Sequence, residues 1–147
     1  MLDRQAVIEY LVDHYENPRN NGELHDADVS MRGGNPGCGD VIDLYLKIDE
    51  ATGTVQQISF TGDGCTISQA SASVLMEMVE GKTLAAIDEM SYDDLIDTLG
   101  REVVMSRPKC ATLSLTTLKA ALRKYRHQKR AREAGMPVED GMGFIEV

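Results

Sequence analysis

With 147 residues, 42% of them hydrophobic and 27% charged, the chain has the length and composition of one globular domain. A domain of this size buries roughly 68–70% of its unfolded surface, so it folds without disulfide staples. No apolar run approaches the ~18–20 residues of a membrane span, and a net charge of −9 disfavours nucleic acid, whose affinity depends on neutralising phosphates.

The charge is unevenly spread. Lys119, Arg123, Lys124, Arg126, Lys129, Arg130 and Arg132 form a stretch with no acid, leaving −16 (−9 less 7) on the rest of the chain. The stretch reads as a solvated helix end suited to an acidic protein surface. Met1-Leu2-Asp3-Arg4 has neither a basic leader with an apolar core nor a cleavage site, so a cytoplasmic location is expected. An odd number of cysteines in a reducing compartment argues for metal or sulfur chemistry over a disulfide framework.

In chain order, Val7, Ile8, Leu11, Val12 and Tyr15 take helical spacing over Gln5 to Tyr15, and Asn17-Pro18-Arg19-Asn20-Asn21-Gly22 ends that helix. A polar strand is expected near Asp28 to Arg32, followed by a loop over Gly33-Gly34-Asn35-Pro36-Gly37. From Asp40 the chain alternates, with Ile42, Leu44, Leu46 and Ile48 on one face; Asp49 to Gly53 turns it, and Val55 to Thr61 completes a hairpin.

Cys65 opens the next element, a helix striped by Ile67, Ala70, Ser71, Val74, Leu75, Met78 and Val79 and ended by Gly81. Its small residues Ser68, Ala70, Ser71, Ala72 and Ser73 let a sheet, a second backbone or a cofactor come close. Short helices follow near Leu84 to Met90 and Tyr92 to Leu99, the second with Ser91 and Asp94 spaced as N-cap and third-position acid. Arg101 to Met105 reads as a strand or connector. Cys110 opens a long basic last helix, with Leu115, Leu118 and Leu122 inward, reaching about Arg132; Gly135-Met136-Pro137 breaks it. The expected organisation is one domain over residues 1–134 and a flexible tail over 135–147.

The chemistry sits in the cysteines. Cys38 lies in Gly34-Asn35-Pro36-Gly37-Cys38-Gly39-Asp40, Cys65 in Gly62-Asp63-Gly64-Cys65-Thr66, and Cys110 follows Arg107-Pro108-Lys109. Glycine and proline around each thiol are unlike the periodic apolar settings of core cysteines. Cys38 and Asp40, at i and i+2, point to one face with alpha-carbons roughly 6.5 Å apart, so thiolate and carboxylate can converge on one ion. Cys65 and Cys110 each begin a helix, where free N–H groups and the dipole stabilise negative charge. Three soft ligands and one carboxylate suit zinc or an iron–sulfur cluster. The spacings match no zinc finger, which pairs cysteines about two to four apart, so folding must assemble the site from separate loops.

Four runs carry a resemblance: Asp13-His14-Tyr15-Glu16-Asn17-Pro18-Arg19-Asn20-Asn21-Gly22, Asn35-Pro36-Gly37-Cys38-Gly39-Asp40, Gly62-Asp63-Gly64-Cys65-Thr66-Ile67-Ser68-Gln69-Ala70-Ser71-Ala72-Ser73, and Lys109-Cys110-Ala111-Thr112-Leu113. In this order they resemble the IscU/SufU/NifU N-terminal family of scaffolds for iron–sulfur cluster assembly, over the chain to about Leu122. The resemblance implies an α+β domain, a three-stranded antiparallel sheet with helices on one face. It implies sulfur delivered as a persulfide by a pyridoxal-phosphate cysteine desulfurase, iron joining it, and a finished [2Fe–2S] cluster passed to apo acceptor proteins. Cys38, Asp40, Cys65 and Cys110 would hold the cluster, or zinc in its absence, and Cys110 or else Cys38 would accept the sulfur. A cluster-loaded homodimer, coupling two clusters into a [4Fe–4S] one, is also allowed.

Two departures stand out. Lys109 replaces the histidine that IscU-type scaffolds carry before the third cysteine; a protonated lysine has no lone pair, which leaves Asp40 as fourth ligand and Lys109 as a charge partner to Asp40 or Cys110. Val104-Met105-Ser106-Arg107-Pro108 replaces the Leu-Pro-Pro-Val-Lys chaperone signal. SufU-type proteins also lack the histidine but carry an insertion between the second and third cysteines that this chain does not have. A zinc-containing sulfurtransferase of SufU type is thus the alternative to a scaffold, and a purely structural zinc protein the third reading. For His14 the residues favour a structural hydrogen bond, while the resemblance adds docking of the desulfurase; His25 and His127 read as surface residues.

Overall fold

The computed structural model describes residues 3–37, 39–138 and 141–147. Helix α1 (Arg4–Glu16) starts at Asp3, whose side chain accepts from the Ala6 N–H at 2.8 Å and so satisfies one of the free amides of the first turn. Strands β1 (Val29–Asn35), β2 (Asp40–Asp49) and β3 (Thr54–Asp63) form an antiparallel meander. Helices α2 (Thr66–Val79), α3 (Leu84–Glu89), α4 (Tyr92–Leu99), α5 (Arg101–Val104) and α6 (Pro108–Glu133) follow, and a last strand, β4 (Gly143–Glu146), returns to the sheet.

The α+β class holds, but the sheet has four strands in the order β3-β2-β1-β4, not three. The fourth pairs in parallel with β1, Met31 opposite Gly143 and Gly34 opposite Glu146. This segment belongs to the tail expected to be loose. Two further elements differ from the sequence expectation. Arg101–Val104 is a helical turn, and β1 runs on through Gly33, Gly34 and Asn35, where the glycines suggested a loop. In both places pairing and packing outweigh local propensity.

The alternation in β2 buries Ile42, Leu44 and Leu46 completely and Ile48 to 6% exposure. Val55, Ile58 and Phe60 of β3 join them, and α2 and α6 close the same layer with Leu75, Met76, Leu115, Leu118 and Leu122. The small residues of α2 serve a helix–helix contact: the buried Ser71 Oγ donates to the Ala111 carbonyl of α6 at 2.6 Å. Helix α6 crosses β1 equally closely, since a side-chain carbon on Gly33 would overlap Thr117 Oγ1.

The basic stretch on α6 is partly used within the molecule. Arg126 forms two hydrogen bonds with Asp88, at 2.9 and 2.6 Å, and Lys119 lies over the Tyr92 ring at 5.5 Å from its centre. Among the described residues no helix is long and apolar enough to cross a membrane.

Candidate metal centre

The site lies where the β1–β2 connection, the end of β3 and the starts of α2 and α6 converge. Asn35 and Asp40 are register partners, and the Gly39 N–H donates to the Asn35 carbonyl at 2.8 Å, so β1 reverses tightly into β2. Cys38 belongs to this connection and lies outside the described residues. The β2–β3 register sets Val41 opposite Asp63, which carries Gly64 and Cys65 alongside Asp40.

Cys65 is the N-cap of α2, in the extended conformation with φ −72° and ψ 162°. Its sulfur takes the position a serine oxygen would occupy, accepting from the Ser68 N–H at 3.5 Å. Its own N–H donates to Asp40 Oδ1 at 2.8 Å. Cys110 is the third residue of α6, after Pro108, whose missing N–H costs nothing in a first turn. The Cys110 thiol donates to Asp40 Oδ2 at 3.0 Å, and Cys65 Sγ stands 3.8 Å from the same oxygen.

Asp40, Cys65 and Cys110 therefore bring one ligand atom each to within 4.8 Å of one another. A tetrahedral centre with metal–ligand bonds of about 2.0–2.3 Å has neighbouring donors about 3.5 Å apart, and the 3.0 and 3.8 Å separations bracket that spacing. Two thiols and a carboxylate suit zinc or ferrous iron in kind as well as in position. Asp40 and Cys110 are 1% and 4% exposed, whereas Cys65 is half-buried, so among these three donors the Cys65 side faces solvent. A cavity of about 320 Å³ lies beside the end of β3, lined by Tyr15, Pro18, Phe60, Gly64 and Gln69, and none of the three donors lines it. A larger cavity of about 520 Å³, between α1 and the α4–α5 turn, likewise contains none of the donors.

Lys109 is exposed on the first turn of α6, and no ion pair joins it to a described residue. His14 is buried at 1% exposure and serves packing: its Nδ1 lies 2.7 Å from Ser73 Oγ and its Nε2 3.4 Å from Glu77 Oε1. Ser73 Oγ also accepts from the Arg19 N–H at 2.8 Å, and Arg19 pairs with Asp13 and Glu77. The polar ties of the Asp13–Arg19 run thus hold α1 to Ser73 and Glu77 of α2. His25 and His127 are exposed.

Sequence reasoning overlooked Gly64. It has φ +147°, and a Cβ there would overlap Asp40 Oδ1, so its bare backbone makes the space in which the carboxylate sits. The glycine directly before a candidate ligand was the available signal.

The NifU-like N-terminal domain family matches residues 7–132. The chain is 38% identical over 140 residues to the zinc-dependent sulfurtransferase SufU of Bacillus subtilis, covering 84% of this chain and 90% of that one. It is 32% identical over 130 residues to the iron–sulfur cluster assembly scaffold protein IscU of Escherichia coli K12, covering 86% and 99%. In fold it is similar to the N-terminal part of a NifU-like protein from Brucella abortus, with a TM-score of 0.71 at 20% identity over 82% of this chain and 94% of that one. On the family match and these identities, the chain belongs to the NifU-like N-terminal domain family, with IscU and SufU among its relatives.

Proposed function

We propose that this protein is a scaffold on which iron–sulfur clusters are assembled and from which they are handed on. The observation that carries the reading is the Asp40 carboxylate set between the Cys65 and Cys110 sulfurs, at 3.8 and 3.0 Å. Cys38, Asp40, Cys65 and Cys110 form the ligand set. The cluster is cargo: a [2Fe–2S] unit built from iron and from sulfur supplied as a persulfide by a cysteine desulfurase, then passed to apo acceptor proteins. Work of this kind needs reduced thiols and so a reducing compartment such as the cytoplasm.

The donor set suits transient holding. Thiolates match soft iron–sulfide chemistry, and one oxygen among three sulfurs is the harder, weaker ligand, so Asp40 is the position that lets go first. Cys110, or else Cys38, accepts the sulfane sulfur. For Cys110, the Asp40 oxygen at 3.0 Å stands ready to take the thiol proton. Sulfane sulfur must gain two electrons to become bridging sulfide, so a reductant is a further co-reactant. A scaffold of this kind performs no turnover of its own. Cluster-loaded copies pair as homodimers through this face.

A second reading, a zinc-holding sulfurtransferase that passes persulfide sulfur on, is favoured by Lys109 where a histidine ligand would stand and by the 38% identity to a protein of that name. Anaerobic incubation with ferrous iron, cysteine and a cysteine desulfurase separates the two. A brown protein with acid-labile sulfide, which then activates an apo ferredoxin, supports the scaffold. A colourless protein that keeps one zinc and accelerates the desulfurase selects the sulfurtransferase and overturns the first reading.

A further inference from the structure

We propose that β4 is a displaceable strap that pins the Gly33–Asn35 end of β1 and, through it, the loop leading into Asp40. β1 enters the metal loop through Gly33 and Gly34, two residues that weaken a strand because they lose the most backbone freedom and bring no side chain to the pleat. β4 lies against that stretch: Ile145 is opposite Gly33, Glu146 is opposite Gly34, and the Val147 N–H donates to the Gly34 carbonyl at 2.8 Å.

The side chains of β4 are arranged for this task. Ile145 and Val147 are partly buried against the core, while Phe144 and Glu146 face outward, in the period-two pattern of a strand. The Phe144 ring lies over Gly34, 3.7 Å from where a side-chain carbon of that residue would stand, so an aromatic from the neighbouring strand fills the gap the glycine leaves. Gly143 lets the strap run close beneath Met31 and the Lys124 stem.

The attachment is also weak enough to open. β4 has four residues and is an edge strand, paired on one side only, whereas ten-residue β2 is paired on both. Phe144 remains 59% exposed and Met142 40%. From α6, Lys124 reaches the Gly141 and Ser30 carbonyls, a cross-tie made by one flexible side chain. Short, singly paired elements of this kind open far more often than the core of a domain. With the strap on, Gly34 and Asn35 stay in register with Val41 and Asp40; with it off, that end of β1 frays and the ligand loop loosens. The consequence for metal exchange rests on the ligand set proposed above, whereas the pinning of β1 does not.

Amide hydrogen exchange on the metal-free protein tests the pinning, comparing the full chain with a deletion of residues 141–147 and with Ile145→Asp, which puts a charge where the strap anchors. Expected is a loss of protection at Gly33, Gly34 and Asn35 of about tenfold or more in both variants, with α2 and α6 amides unchanged. Zinc release to a chelator, with zinc as the probe, should then quicken severalfold in both variants. Unchanged protection at Gly33–Asn35 in both, or loosened amides with an unchanged zinc release rate, overturns the proposal. A full-length chain that takes up no zinc defeats the ligand set instead, and the exchange comparison still decides the strap.

Discussion

Gly64 and Asp40 are locked together by the absence of a side chain: with a Cβ at Gly64, Asp40 Oδ1 would be overlapped and its Cγ would stand only 2.9 Å away. Gly64→Ala therefore forces both a strained backbone, at φ +147°, and a displaced Asp40 carboxylate, a member of the proposed ligand set. Apo stability should fall by about 1–3 kcal/mol and zinc affinity by about 10–100-fold, measured by denaturant unfolding and chelator competition. Gly53→Ala is the control. It has φ +66° and open space around it, so it should cost stability without moving zinc affinity.

Asp40→Ala separates the two roles of the carboxylate. It removes the acceptor of the Cys65 N–H, which should lower apo stability by about 1–3 kcal/mol. It also removes the one oxygen from the proposed ligand set. At matched loading the cluster should persist longer and transfer to an apo acceptor about tenfold more slowly, as a barrier higher by ~1.4 kcal/mol would give. Equal or faster transfer would show that Asp40 is not the releasing ligand.

His14 gives the apo protein a pH signature. Burial, aided by the Arg19 charge, holds its imidazole below the usual 6.5, against the opposing pull of Glu77 and Asp13. The unfolded chain takes up this proton near pH 6.5 while the folded one stays neutral. His14 stabilisation is therefore complete above that pH and declines as pH falls toward the lowered folded value. Thermal melts should show this decline, and His14→Gln should flatten it. Asp13 and Asp88, held below 3.8 by Arg19 and Arg126, add their own loss only at more acidic pH, so the two windows are distinguishable.

Contact between β1 and α6 can be checked by a double-mutant cycle. Gly33→Ala drives a methyl into Thr117 Oγ1 and should cost about 1–3 kcal/mol. Thr117→Ala removes the nearest obstacle, leaving only its Cβ at 3.0 Å, and loses a hydrogen bond to the Leu113 carbonyl at 2.7 Å. The double variant should be more stable than the sum of the single losses predicts, read by denaturant unfolding; additivity would argue against the contact.

Tyr125 ties the last helix to the β2–β3 turn through its hydroxyl, which donates to Glu50 Oε1 at 3.1 Å. Burial and the Glu50 contact push this phenol up to about 12, so the bond should survive into strongly alkaline solution. Tyr125→Phe should cost about 0.5–1.5 kcal/mol, measured by denaturant unfolding at neutral pH.

Elements whose local signals agree with their packing were legible before any coordinates. The alternation from Asp40 to Asp49 is β2, Ser91 caps α4 through the Asp94 N–H at 3.0 Å, and Cys65 caps α2. Misread elements are those decided by distant partners. Gly33 and Gly34 have poor strand propensity and become strand because β2 and β4 pair with them on either side. Four residues from Gly143 to Glu146 give too short a pattern to read, and their parallel pairing requires a partner more than a hundred positions earlier. Gly64 was visible as a turn residue, but its role as the space for Asp40 depends on the β2–β3 register.

From its order of residues alone the chain specifies the donor types, because glycine and proline turns and helix starts are short-range properties that keep these thiols out of periodic apolar stretches. Their meeting is a different matter. Asp40, Cys65 and Cys110 come within 4.8 Å only through strand register and the crossing of α6 over the sheet, and the strap along β1 only through a fourth strand. Long-range pairing depends on which surfaces bury each other, and neighbouring residues do not encode that.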